Sequence, residues 1–334
     1  MNFLEVEVAR DKSSIWRGAL AVFVIVLAVG GFVVQKVDFS NDHTAFNKIL
    51  LQPLQNVSDK IGGDIVVEPP EVVRPNLPEL VGGMLDSSQF SAHSMIVKDV
   101  QTGMVLFKKA EYDQWPIASI TKLMSALILL EKNPDWATST VVVGLDSMGT
   151  HMYAGDVYTL DELWLSALVA SSNKAILTLA HALGWPLEAF VERMNQKALE
   201  LGMTDTHFTD PTGLDDTNVS SASDIVILLN EVLKHDKIQT ALLTKEHDLY
   251  SQQRQKSHHM WNTDWLLLGW VEHDFERFYG GKTGFINASG YNFSMRVGNG
   301  HLVDVVVLGA GDHEARFTEA RDIAKWSLQN YIWP

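Results

Sequence analysis

Three short groupings of hydroxyl, amide and ammonium side chains stand out in this chain. The first is Ser119-Ile120-Thr121-Lys122. On a helix, a spacing of three puts both polar side chains on one face, within hydrogen-bonding reach. A serine hydroxyl is a poor nucleophile at its own pKa, and a desolvated, neutral lysine can serve as its base. A serine at a helix N-terminus also has free N–H groups and the positive dipole end directed at the reacting centre. The second grouping is Ser171-Ser172-Asn173, a hydroxyl and an amide at alternate positions, able to pass a proton and to orient a substrate. The third is Lys282-Thr283-Gly284. It offers a positive charge, a donor for a carboxylate and room for close backbone approach.

Singly, each is weak. Ser171-Ser172-Asn173-Lys174 also satisfies S-x-x-K, and a polar turn between helices would read as S-x-N. Context separates them: Ser119 opens a strongly periodic stretch, whereas Ser171 falls at a junction between two helices. The three together, in this order, are far rarer than any one.

The elements that must carry them follow from periodicity and turn chemistry. Ser94–Val100 and Met104–Lys108 flank Gln101-Thr102-Gly103 and predict a hairpin. Ile120, Leu123, Leu127 and Leu130 lie on one stripe of a helix after Pro116. Thr159 with Glu162 makes a capping box, Pro186 and Gly202 bracket a further helix, and Ser221 with Asp224 caps another. Lys282-Thr283-Gly284 falls on a strand. Tyr291–Val297 and His301–Leu308 are joined through Asn299-Gly300, a hairpin signal, and a last helix is expected at about 314–331. Strands at both ends with helices between them predict an α/β sheet carrying an inserted helical lobe.

Composition removes several function classes. Lys and Arg number 26 against 41 Asp and Glu, a net charge of −15, and no basic run occurs, so no nucleic-acid partner is expected. The absence of cysteine excludes disulfides, thiolate metal sites and thiol catalysis. No H-E-x-x-H occurs, so neither a metal nor a cofactor is expected. Asp210, Asp215 and Asp216 around Pro211 and Gly213 predict a turn rather than a cation loop. Trp261, Trp265 and Trp270 are read as packing residues, with a groove lining as the alternative.

Residues 18–35, GALAVFVIVLAVGGFVVQ, are uncharged and apolar on every face. At about 1.5 Å per residue they reach roughly 27 Å, close to the hydrocarbon thickness of a bilayer. Lys36-Val37-Asp38 offers no small-x-small cleavage site, which disfavours a cleaved signal peptide. Arg10, Lys12 and Arg17 precede the span, which places the N-terminus inside. The expected organisation is therefore a cytoplasmic stretch (1–17), a transmembrane signal anchor (18–35), a proline-containing linker (36–85) and a catalytic domain (86–334). That domain would lie outside the cytoplasmic membrane.

The three motifs in this order resemble those of the serine penicillin-recognising enzymes, specifically the low-molecular-weight D-alanyl-D-alanine carboxypeptidases of peptidase family S11. The resemblance extends through PIASITKLMSAL (116–127), TLDELWLSALVASSNKA (159–175), LGMTDTHFTDPTGLD (201–215) and GGKTGFINASGYN (280–292). It implies a β-lactamase/transpeptidase-like domain: an antiparallel sheet with packed helices and an inserted helical lobe. It also implies that Ser119 is the acylated nucleophile, Lys122 its proton acceptor and Ser171 the relay to the leaving group. Asn173 would hold substrate, Lys282, Thr283 and Gly284 would form the carboxylate-binding strand, and the N–H groups of Ser119 and Phe285 would form the oxyanion hole. The partners implied are peptidoglycan stem peptides ending in D-Ala-D-Ala, with β-lactams as inhibitors.

Two positions depart from the family pattern. Lys174 stands where relatives carry an aspartate, reversing a charge beside the cleft. Gly281 replaces a bulky apolar residue, which predicts a looser strand. The expected activity is a D,D-carboxypeptidase, the alternatives being a D,D-endopeptidase, a β-lactamase or an inactive peptidoglycan-binding module. No E-x-x-L-N follows the S-x-N at the distance used by class A β-lactamases.

Overall fold

The computed structural model describes residues 77–146 and 151–334. The anchor expected over 18–35 and the linker up to residue 76 lie outside these residues. Among the described residues no helix is long and apolar enough to cross a membrane. At the C-terminal end of the expected linker, Glu79–Leu80 pair antiparallel with Tyr331–Ile332.

The chain enters the sheet with β1 (Ser94–Asp99) and β2 (Val105–Lys109). It then builds a helical lobe from α1 (Thr121–Leu130), α2 (Leu160–Leu168), α3 (Asn173–Ala182), α4 (Leu187–Leu201), α5 (Ala222–Val232) and α6 (Asp236–Leu243). A hairpin follows, β3 (Glu246–Ser251) and β4 (Lys256–Trp261), with one short helix, α7 (Trp265–Leu268). The chain returns through β5 (Arg277–Ile286), β6 (Gly290–Asn299) and β7 (His301–Ala310) and ends in α8 (Ala315–Asn330). The sheet is antiparallel throughout, in the order β5-β6-β7-β1-β2. The α/β architecture with an inserted lobe is the one expected from the sequence.

The central strands are buried on both faces, and strand alternation divides their side chains between two cores. Val303, Val305 and Val307 of β7, with Met95 and Val97 of β1, pack with Phe317, Ala320, Ile323 and Ala324 of α8. The intervening Val306, Leu308 and Ile96 face the lobe, where α1, α2 and α5 contribute most of the second core. The local signals read from the sequence are in place. Thr159 and Glu162 form a reciprocal capping box at α2, Ser221 caps α5, and Gly202 ends α4 in the left-handed region at φ 80°.

The β3–β4 hairpin was not legible. Of its strand residues only Leu249, Ser251 and Met260 are buried, so no apolar alternation marks it. The looser strand expected at Gly281 is not observed. A Cβ there would lie 2.7 Å from the Phe293 ring and 2.6 Å from the Ser294 carbonyl, so the neighbouring strand already fills the space.

Candidate active site

Ser119 does not sit in the first turn of α1 itself. It occupies a 3₁₀ turn, Ala118–Ile120, that leads into the helix. Ala118 is held at φ 48°, a left-handed conformation costly for a residue with a Cβ. What holds it is the turn at 210–218. Asp210 accepts hydrogen bonds from the Thr212, Gly213 and Asp215 N–H groups and from the Asn218 amide. This turn presses Gly213 against the Ala118–Ile120 segment. Gly213 has φ 81°, and a Cβ on it would lie 1.9 Å from the Ala118 carbonyl oxygen. Only glycine fits.

The same turn supplies the lysine's third partner. Lys122 is fully buried, and its Nζ lies 2.7 Å from Ser119 Oγ, 2.6 Å from Asn173 Oδ1 and 2.7 Å from the Thr212 carbonyl oxygen. A neutral amine has two N–H donors and one lone pair. Asn173 Oδ1 and the Thr212 carbonyl accept the two hydrogens, which leaves the lone pair for the Ser119 hydroxyl proton. Burial drives the Lys122 pKa well below its ordinary value, and the nearby Lys282 charge pushes it the same way.

Ser171 ends the loop between α2 and α3, again left-handed at φ 59°. Its Oγ accepts a hydrogen bond of 2.9 Å from Lys282 Nζ, which also donates to the Thr283 carbonyl. Lys282 is buried, and its pKa falls to about 7, chiefly through desolvation and then through the Arg316 charge. The Thr283 hydroxyl donates to Thr263 Oγ1 at 2.6 Å. Gly284 lets β5 close on the nucleophile. A Cβ there would meet the Ile117 carbonyl at 2.5 Å and the Ser119 nitrogen at 3.1 Å. β5 is an edge strand of the sheet, the position from which a sheet can add an extended ligand. The backbone N–H groups of Ser119 and Phe285 belong to these apposed segments.

Ser119, Ser171, Thr283, Gly284 and Phe285 line a cavity of about 580 Å³ with Asn262, Thr263, Trp265, Tyr291, His313 and Arg316. Of the expected site residues, Lys122, Asn173 and Lys282 do not line this cavity; Lys122 reaches it through Ser119, Asn173 through Lys122 and Lys282 through Ser171. Two buried ionisable side chains beside it were not expected. Asp264 is fully buried and caps α7 through the Leu266 and Leu267 N–H groups. Burial raises its carboxyl to about 7, against weaker pulls from those N–H groups, Arg316 and Lys282. Arg316 is likewise buried, its pKa brought down to about 10 by desolvation. One signal could have found it, because Arg316 sits on the buried stripe of α8 beside Phe317 and Ala320. The Thr212 carbonyl carried no such signal, being a backbone atom delivered by a turn.

Lys174 forms an ion pair with Asp146, so the reversed charge beside the cleft is balanced locally. His258 and His259 lie on β4, His259 paired with Glu246 and Asp248, away from the cleft lining.

The sequence model of the D-alanyl-D-alanine carboxypeptidase family, peptidase S11, matches residues 83–312. The chain belongs to that family. It is 30% identical over 261 residues to a D-alanyl-D-alanine endopeptidase of Pseudomonas aeruginosa, covering 75% of this chain and 81% of that one. It is 28% identical over 254 residues to D-alanyl-D-alanine carboxypeptidase DacF of Bacillus subtilis, covering 72% of this chain but only 63% of that relative's length. Among solved structures it is similar to a D-alanyl-D-alanine carboxypeptidase from Mycobacterium tuberculosis, with TM-score 0.63 and 26% identity over 74% of this chain and 95% of that one. It is also similar to penicillin-binding protein D2 of Listeria monocytogenes in its cefotaxime-bound form, with TM-score 0.62 and 25% identity over 74% and 99% of the two chains.

Proposed function

We propose that this chain is a serine D,D-peptidase that cleaves the D-alanyl bond at the end of peptidoglycan stem peptides and is acylated by β-lactams. The observation that carries the reading is the Lys122 amine, buried between Ser119 Oγ and two groups that can only accept from it. Burial there, with the Lys282 charge nearby, lowers the Lys122 pKa and so favours the neutral amine that can take the Ser119 proton.

The steps combine that placement with the roles that the family resemblance implies. Ser119 Oγ attacks the carbonyl carbon of the penultimate residue as its proton passes to Lys122 Nζ. The oxyanion forms against the N–H groups of Ser119 and Phe285. Collapse breaks the C–N bond, and Ser171 relays the proton from Lys122 to the departing amine. Water then hydrolyses the ester, with Lys122 again taking the proton. Lys282 and Thr283, with Arg316 on the cavity floor, hold the carboxylate of the leaving residue, and Asn173 orients the acyl half. The apolar stretch at 18–35 supports a single-pass anchor with this domain on the extracytoplasmic side.

Labelling with a fluorescent penicillin tests the reading. Covalent label on the wild type and none on Ser119→Ala is the expected result. Persistent labelling of Ser119→Ala would move the nucleophile to Ser171. Product analysis on a D-Ala-D-Ala pentapeptide then establishes hydrolysis. An endopeptidase is the second reading, favoured by the aromatic rings that run from the cavity lining out to the exposed Trp261 and Trp270.

A further inference from the structure

An unbroken run of aromatic rings lines one side of the cleft and continues beyond it. Phe285 stacks on Tyr291 at 4.4 Å between centroids, Tyr291 meets His313 at 5.7 Å, and His313 meets Trp265 at 4.2 Å. These four rings line the cavity. The run does not stop there. Trp265 contacts Trp270 at 5.7 Å, and Trp270 contacts Trp261 at 5.9 Å. Trp261 and Trp270 are 50% and 55% exposed, which is unusual for two tryptophans in contact, since burial of so large an apolar ring is strongly favoured.

The position of this pair says what it would meet. Trp261 ends β4, two residues before Thr263, whose hydroxyl is bonded to Thr283 in the cavity wall. Trp270 follows α7, its N–H donating to the Trp265 carbonyl. The pair thus adjoins Trp265 and Thr263, which line the cavity with Thr283, on the side where the proposed function puts the leaving residue's carboxylate. A leaving D-alanine ends at that carboxylate and has only a methyl group to offer. A leaving residue that belongs to a second stem peptide carries a long aliphatic side chain and further peptide. Methylene groups lying across indole faces are well matched to such a surface.

We propose that Trp261 and Trp270 form a subsite for the leaving half of a cross-linked peptide, so that this cleft is built for D,D-endopeptidase cleavage as well as terminal trimming. The proposal rests on the serine D,D-peptidase reading and names the substrate class for it. The Trp261/Trp270 pair touches no reacting atom, so acylation itself is independent of it.

The test compares the full-length wild type with the double variants Trp261→Ala/Trp270→Ala and Trp261→Phe/Trp270→Phe. Three readouts are followed: penicillin acylation rate, hydrolysis of a D-Ala-D-Ala pentapeptide, and cleavage of a cross-linked peptide dimer freed of its glycan. The expected result is a fall of roughly tenfold or more in kcat/KM on the dimer for the alanine variant, carried mainly by KM. Acylation and pentapeptide hydrolysis should stay near wild type, and the phenylalanine variant should recover most of the loss. Equal losses on pentapeptide and dimer, no loss on the dimer, or a wild type that trims the pentapeptide and leaves the dimer intact would each overturn the subsite. So would a loss seen only when the dimer carries its sugars, which would assign the pair to glycan. A wild type that neither labels with penicillin nor cleaves either peptide would instead remove the peptidase reading beneath it.

Discussion

At the scale of single residues, the proposed function sets opposite requirements on two buried lysines bonded to cleft-lining serines. Lys122 must be neutral to accept the Ser119 proton, and its pKa is depressed by burial and by Lys282, so activity should rise with pH as the amine deprotonates. Lys282 must be charged to hold a carboxylate, and its pKa lies at about 7, so that contribution is present below about 7 and lost as pH rises. The kcat/KM profile on a carboxylate substrate should therefore be bell-shaped, with its descending limb near neutrality. Following the profile with an amidated analogue checks the assignment, because the descending limb should disappear. Lys122→Arg should abolish penicillin labelling while leaving the circular dichroism spectrum unchanged, since guanidinium keeps its proton. Lys282→Ala should cost about 2–3 kcal/mol on carboxylate substrates, roughly 30–150-fold in acylation, and much less on amidated ones. Equal losses on both would remove its role as carboxylate receptor.

At the scale of elements, the site depends on close approach between segments distant in sequence. Gly213→Ala would drive a methyl into the Ala118 carbonyl at a backbone angle unfavourable to alanine. Displacement of the nucleophile turn should lower stability by about 3 kcal/mol and acylation along with it, read by thermal unfolding and labelling rate. The sheet has its own polar clamp. Arg296 of β6 and Asp304 of β7 are directly paired in register and form a buried two-bond ion pair at 2.7 and 2.8 Å, with Asn230 of α5 as a further partner. Asp304→Ala leaves the guanidinium buried without its counter-ion and should cost about 3–5 kcal/mol in chemical denaturation. Most elements were readable locally, because capping boxes, hairpin turns and apolar stripes are short-range signals. The β3–β4 hairpin was not, because its faces are mostly solvated and leave no alternation to read.

At the scale of the whole molecule, the sheet joins β1–β2 to β5–β7 across more than half of the described chain, and the lobe between them delivers Ser119, Ser171 and Asn173 to the edge strand β5. The cleft lies between the lobe and this edge, so any loss of sheet or lobe packing reaches the chemistry directly. The N-terminal apolar stretch carries a separate expectation. The full-length protein should remain with membranes through an alkaline carbonate wash, and deletion of residues 1–36 should release it with penicillin labelling intact. Full-length protein in the soluble fraction would sink the anchor.

The sequence by itself singled out Ser119-x-x-Lys122 and Lys282-Thr283-Gly284, because residue type and spacing are local properties of the chain, and the family resemblance supplied the roles proposed for them. The sequence also determined the α/β class, since hydrophobic period is a property of each segment alone. Only the tertiary structure decided what surrounds them. The Thr212 carbonyl meets Lys122 across 90 residues, Asp264 and Arg316 are buried together from separate elements, and the exposed Trp261–Trp270 pair depends on which face of an aromatic run is left uncovered. Such contacts leave no period in the chain. The lowered pKa of Lys122 is of the same kind, set by burial among segments that meet only when the chain has folded.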